Sequence, residues 1–411
     1  MQGKHYLMVA FYFLFHIFLY RQRQFCSVYL QMGEGNMEIY VVKRQDTVDS
    51  IAESFQVPVE DIIYMNQLAY PYALAVGQAL LIPVSGDTPS GSIVVNGYAY
   101  PFINPEILEG TLPFLTDVSV FSYGFTEDGN LTEPHLSVDW MLEKIQNADV
   151  NAILTLTPID ASGKFSNQLI HQMLRKEGAS QNLINQLLQT VEEKGYYGVD
   201  VDFEYILAED RDLFTTFVAN MREQLNSKGY VVSVALAPKT SATQEGLLYE
   251  GKDYGGLGAA ANSVLLMTYE WGYTYSEPRA VAPINKVREV IEYAITEIPV
   301  AKINMGIPNY GYDWPLPYEK GVTKATTIGN VQAVQIAIEH GAVILFDEVS
   351  QTPYFNYIEN GVEHEVWFED VRSLNAKFNL VEAYQLRGVG YWQIMRWFLA
   401  NWLLLKDRFY I

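Results

Sequence analysis

Short β-rich runs alternate with amphipathic helical stretches through residues 93–411, and this pattern constrains the fold more than any other feature. The runs lie near Ile93–Tyr100, Val118–Phe125, Ala152–Leu156, Gly198–Phe203, Val231–Ala237, Ser263–Tyr269, Lys302–Ile307 and Gly388–Ile394. Asn182–Lys194 and Arg211–Ser227 carry apolar residues at helical spacing between them. Strands that each lead into a helix belong in a parallel sheet, and eight such units are expected to close into a (β/α)8 barrel of the α/β class. The interval between the last two runs is long. Val343–Phe346, Phe355–Tyr357 and Glu365–Phe368 read as extra strands of an insertion there.

With 411 residues, the chain has room for a large domain and a smaller module. Its formal net charge is −21, which repels phosphate backbones, so no nucleic-acid partner is expected. Cys26 is the single cysteine, which excludes an intramolecular disulfide. None of the six histidines stands at a zinc-ligand spacing, so neither a metal nor another cofactor is expected. Aromatic residues make up 14% of the chain, which suits either a large core or sugar-stacking surfaces.

Residues 1–36 form an extension of doubtful status. Val9–Tyr20 is strongly apolar but short for a bilayer span. Arg21 and Arg23 lie on the far side of the run, and no small-residue cleavage site follows, both unlike a signal peptide. The codons of Met32-Gly33-Glu34-Gly35-Asn36-Met37 can spell a purine-rich ribosome-binding site just before the Met37 codon. Translation is therefore expected to start at Met37, with a signal or anchor, or an ordinary structural segment, as the alternatives. Stable membrane insertion is not expected.

Residues 37–84 read as strand, helix, helix, strand. Ile39–Val42 is β-rich, Asp46-Thr47 offers an N-cap, and Val48, Ile51, Ala52 and Phe55 recur at helical spacing. Pro58 breaks the chain, a second amphipathic stretch ends near Asn66, and Leu80–Pro83 closes as a strand. Asp46-Thr47, Ile51-Ala52, Asn66 and Val76-Gly77-Gln78 with Leu80, Ile82 and Pro83 resemble a LysM domain. The departure is Gln45, where the family usually has glycine. The resemblance implies binding of N-acetylglucosamine glycans such as peptidoglycan or chitin, with Asp46, Thr47 and Asn66 as candidate contacts. A plain spacer is the alternative. Residues 85–92 are a polar linker.

The sharpest chemical signal is Gly198-Val199-Asp200-Val201-Asp202-Phe203-Glu204. Side chains alternate along a strand, so Asp200, Asp202 and Glu204 share one face. Three acids on one face repel each other and are costly to desolvate, so the arrangement asks for a use. They also fall at the carboxyl end of the fourth strand, where barrel active sites lie.

From Tyr197 to Glu204 the chain resembles the fourth-strand motif Asp-Gly-x-Asp-x-Asp-x-Glu of glycoside hydrolase family 18. Tyr197 replaces the first Asp, the position farthest from the chemistry. Met267-Thr268-Tyr269-Glu270 is similar to the sixth-strand Met-x-Tyr-Asp, with Glu for Asp. Gly306-Ile307-Pro308-Asn309-Tyr310-Gly311 and Gly388-Val389-Gly390-Tyr391-Trp392 are similar to the seventh and eighth strands. The third-strand Ser-x-Gly-Gly signature is absent; Leu154–Pro158 stands there. The resemblance spans residues 93–400, and the order of module and barrel resembles spore cortex-lytic N-acetylglucosaminidases.

That resemblance implies retaining hydrolysis of β-1,4 N-acetylglucosaminyl linkages with the substrate as its own nucleophile. Glu204 is then the general acid and Asp202 the partner of the acetamido group. Asp200 stands behind Asp202, and Tyr269 orients the acetamido carbonyl. Trp392 is the expected subsite floor, with an ordinary core tryptophan as the alternative. Glu270 is a subsite candidate; Tyr310 and Trp314 suit a subsite or the core equally. The expected partner is peptidoglycan or another N-acetylglucosamine polymer, the expected setting the spore cortex, coat or cell wall, and the default state a monomer. Competing readings are a divalent-cation site on the three acids, a non-hydrolytic lectin-like relative, a chitinase and a structural coat protein.

Overall fold

The computed structural model describes residues 35–85, 89, 91–160 and 163–411. The apolar run Val9–Tyr20 and the rest of residues 1–34 lie outside the described residues, as do linker residues 86–88 and 90. Among the described residues no helix is long and apolar enough to cross a membrane.

Eight parallel strands close into a barrel. They are β1 (Val94–Ala99), β2 (Asp117–Phe125), β3 (Asn151–Leu156), β4 (Gly198–Val201), β5 (Val231–Leu236), β6 (Ser263–Leu266), β7 (Ile303–Pro308) and β8 (Gly388–Trp392). Each pairs with its chain neighbours, and β8 closes on β1. The strands are almost wholly buried, as parallel strands covered on both sides must be. Helices such as Ala179–Lys194 and Arg211–Asn226 turn an apolar stripe inward, the latter through Phe214, Phe217, Val218, Met221 and Leu225.

The insertion between β7 and β8 is larger than the sequence suggests. Besides the three expected strands it contains Gly311–Pro315 and Thr326–Ile328, giving a five-stranded antiparallel sheet, and the helix Asn330–Glu339. Gly311–Pro315 follows β7 after only two residues, so no long turn marks the change from one sheet to the other. The insertion builds its own core around Ile328, Ala333, Phe355, Val366 and Phe368.

The small module pairs Gly35–Val41 with Ala79–Ser85 antiparallel around helices Val48–Phe55 and Val59–Met65. Thr47 and Ser50 form a reciprocal capping box, which satisfies two otherwise orphaned backbone donors. Asp46 accepts from Tyr40 Oη and the Lys43 amide, both at 2.7 Å. Asn66 donates to the carbonyls of Ile62 (2.9 Å) and Leu81 (2.8 Å) and accepts from the Leu81 amide at 2.7 Å. One side chain thereby ties the second helix to the closing strand. Asn66→Ala leaves the two Leu81 groups without this partner and is expected to cost about 1–3 kcal/mol. Calorimetry checks this, and an unchanged unfolding profile would sink it.

The module is docked on the barrel. Met65 and Leu81 join the main barrel core. The Leu399 amide donates to Gln67 Oε1 at 2.7 Å, and the Ile344 amide donates to the Val76 carbonyl at 2.9 Å. Gly77 has φ +85°, and a Cβ there would come 1.8 Å from the Ile344 carbonyl oxygen. Only glycine allows both the turn and this approach.

Candidate active site

The placement of the three acids is set by where β4 stops. The ladder pairs Asp200 with Thr155 on β3 and with Ser233 on β5, and it ends at Val201. The expected strand ran on to Phe203. The correction has a physical cause: beyond Val201 the chain peels from its neighbours and carries Glu204 to the rim, while Phe203 turns back into the wall. Phe203 is fully buried and stacks on Phe125, Phe214 and Phe217 with centroids 5.2–6.1 Å apart. This aromatic stack fixes the backbone behind the acids. Phe203→Ala is expected to cost about 3–5 kcal/mol and to lower activity through Glu204. Denaturant unfolding checks the first expectation; a loss under about 0.5 kcal/mol, the scale of an exposed site, would refute it.

Asp200 is 1% exposed and Asp202 5%. Tyr98 Oη and Ser233 Oγ donate to the two oxygens of Asp200 at 2.8 and 2.6 Å. Burial nevertheless raises its pKa, against those two bonds and the nearby charge of Lys252. Asp202 stands further above its ordinary value. Burial is the main cause, and the charges of Glu204 and Asp200 add to it. Its Oδ1 is buried with no hydrogen-bond partner among the described residues. Glu204 is half-buried, and its pKa is also raised, by burial first and then by Glu270, against the opposing charge of Lys252. The site therefore favours neutral carboxyls and holds protons into a higher pH range than free side chains would.

β6 likewise ends early, at Leu266, and the chain turns so that Tyr269 and Glu270 face the acids. Glu270 adopts φ +66°, which is strained for a residue with a Cβ. Its carboxylate accepts from Tyr310 and from Tyr312 (3.0 Å). Tyr269 is 8% exposed and stands in electrostatic reach of Asp202, Glu204, Glu270 and Asp200. Trp392, at the end of β8, packs edge-on to Phe121 (4.9 Å) and against Tyr98 (5.7 Å) and Tyr100 (6.1 Å). Trp314 is wholly buried and donates to the Ser276 carbonyl at 2.7 Å, which makes it a core residue.

The fold thus gathers Asp200, Asp202, Glu204, Tyr269, Glu270, Tyr310 and Trp392 at one end of the barrel, while Asp46, Thr47 and Asn66 lie in the module. Tyr197 is exposed at the start of β4, at the opposite end of the strand from Glu204. Three participants escaped sequence reasoning. Ser233 had a signal, as a lone polar residue inside Val231–Ala237. Tyr98 had a weaker one, alternating with Asn96 on β1 and with Tyr100 just past its end. Lys252 had none, because a lysine in a loop looks like any solvated charge.

This chain belongs to the glycosyl hydrolases family 18, whose sequence pattern matches residues 116–396, and the LysM domain pattern matches residues 40–83. It is a glycosidase on a TIM-type barrel with an N-terminal LysM module. The chain is 36% identical to the cortical fragment-lytic enzyme of Bacillus subtilis (strain 168), over 91% of this chain and 98% of that one. With the cortical fragment-lytic enzyme of Bacillus anthracis it shares 40% identity, over 73% and 69% of the two chains. The crystal structure of the Bacillus cereus spore cortex-lytic enzyme SleL superposes with a TM-score of 0.87 at 32% identity, covering 91% of this chain and 99% of that one.

Proposed function

We propose that this enzyme cleaves β-1,4 N-acetylglucosaminyl linkages in spore-cortex peptidoglycan by retaining, substrate-assisted hydrolysis. The observation that carries the reading is Asp202 Oδ1, a buried acceptor with no partner among the described residues, beside a half-buried acid. An acetamido N–H is the donor such an oxygen lacks, and every N-acetylhexosamine of the polymer presents one. The acetamido carbonyl oxygen attacks the anomeric carbon as Glu204 gives its proton to the leaving oxygen, forming an oxazolinium ion. Asp202 takes the acetamido hydrogen bond and offsets the developing positive charge. Water then adds at the anomeric carbon, its proton returns to Glu204, and the configuration is retained.

Asp200 backs Asp202, and the two share protons during the cycle. Tyr269 orients the acetamido carbonyl, Trp392 forms the floor beneath the sugar, and Glu270 with Tyr310 borders the subsite. The LysM module holds the enzyme on the polymer. Asp46, Thr47 and Asn66 already bind the module's own backbone, so they act by shaping the loops against which the glycan rests. The two cortical fragment-lytic relatives support cortex glycan as the substrate and the spore as the setting.

The test is digestion of purified cortex fragments, with product ends labelled by borohydride and read by mass spectrometry. Reducing N-acetylglucosamine ends are expected. Reducing muramic acid ends, or cleavage of chitin oligomers without cleavage of cortex, would reject the assignment.

A further inference from the structure

The acid-bearing segment lies beyond the end of the β4 ladder, so something other than strand pairing must hold it. Asp202 N still donates to the Leu156 carbonyl at 2.9 Å. One residue further on, the Phe203 carbonyl accepts from Lys252 Nζ at 2.5 Å. The same ammonium donates to the Ala235 carbonyl of β5 at 3.0 Å. A single side chain therefore ties β5 to the segment that leaves β4, immediately before Glu204.

Lys252 is 0% exposed. A pin between two carbonyls needs no charge, and burying an ammonium is costly unless opposite charge is near. Its hydrogen bonds go to carbonyls, which leaves its charge facing Asp202, Glu204 and Asp200. The Phe214 ring lies 5.3 Å from the ammonium on another side. Lys239, from the loop after β5, donates to the Lys252 carbonyl at 3.0 Å, and beyond it stand Arg211, Asp253 and Glu297. The approach is tight: a Cβ on Gly251 would come 2.3 Å from the Ile206 carbonyl oxygen. Glycine there lets the loop after β5 reach under the loop after β4.

We propose that Lys252 is a positioning residue, pinning the main chain that carries Glu204 and supplying the positive charge against which the three acids share their protons. The proposal rests on the roles given to those acids above. Burial lowers the lysine to about 8 while Asp202, Glu204 and Asp200 hold it up, so it is charged at neutral pH. By reciprocity, it draws the acids down.

The experiment compares Lys252→Met with Lys252→Gln on cortex fragments across pH. Lys252→Met is expected to lose about 100-fold in kcat with KM little changed, the usual scale for a misplaced catalytic group. Both limbs of its pH profile move to higher pH, by roughly one unit, because a carboxyl that loses a nearby cation holds its proton more tightly. Lys252→Gln keeps an N–H for the Phe203 carbonyl but no charge. It recovers part of kcat and keeps the displaced limbs. Limbs at the wild-type pH in both variants would overturn the proposal, whatever happens to stability.

If both variants fail to fold, lysine-selective NMR of the wild type and of Glu204→Gln decides instead. One ammonium titrates near pH 8 in the wild type, and its titration moves to lower pH in the variant. No lysine responding to Glu204→Gln would also overturn it. Wild-type inactivity on cortex would reject the substrate assignment alone, since the NMR comparison needs no substrate.

Discussion

Glu204→Gln is expected to remove at least about 10²–10⁴-fold of kcat on cortex fragments, the usual share of a general acid, while the protein stays folded and bound to glycan. The amide has nearly the same shape but no proton to give the leaving oxygen. Burial sets the pH behaviour. In the proposed mechanism Glu204 gives up a proton, and its raised pKa keeps it protonated above the ordinary glutamate range. The alkaline limb of the wild-type profile therefore lies higher than a free glutamate allows and falls as Glu204 ionises. Residual activity in the glutamine variant, if any, has no such limb. Full activity in the variant would show that the proton comes from elsewhere.

Asp202→Asn is expected to cost about 10²–10³-fold in kcat, the scale of a lost charge-stabilising group, and to make the protein more stable. These two effects have one cause. Asp202 is buried among acids, so its carboxylate form is the expensive one in the folded state. A folded pKa above the unfolded value gives stability that is fully present below the unfolded pKa, near 3.9 for free aspartate, and is lost as pH rises through the folded pKa. At neutral pH the asparagine variant escapes that loss and melts higher than the wild type. The gap narrows as the pH falls toward 4, about where the unfolded aspartate itself takes up its proton. Thermal melts at the two pH values check the sign. A variant that melts lower at neutral pH would mean that Asp202 stabilises the fold and that its strain is not stored for catalysis.

Part of this site was legible before any fold was known. Asp200, Asp202 and Glu204 alternate on one strand, and no structural requirement of a barrel calls for three acids on one face. Ser233 was overlooked although it is a polar break in an apolar run, because nothing local names its partner. Other features were hidden for identifiable reasons. Gly311–Pro315 was missed because it follows β7 without a turn long enough to mark the change of sheet. The end of β4 was missed because Phe203 keeps the apolar alternation going after the ladder has stopped.

The sequence by itself determined the eight-fold alternation of strand and helix, the two-part organisation and the identity of the acids, because periodicity and residue chemistry are local properties. Only the tertiary structure decided what surrounds those acids. Tyr98 from β1, Ser233 from β5 and Lys252 from the loop beyond it converge on β4 because the sheet closes into a barrel. Whether a carboxyl there is neutral or charged depends on burial and on charges brought from distant parts of the chain. Neither quantity is written in any local stretch of residues.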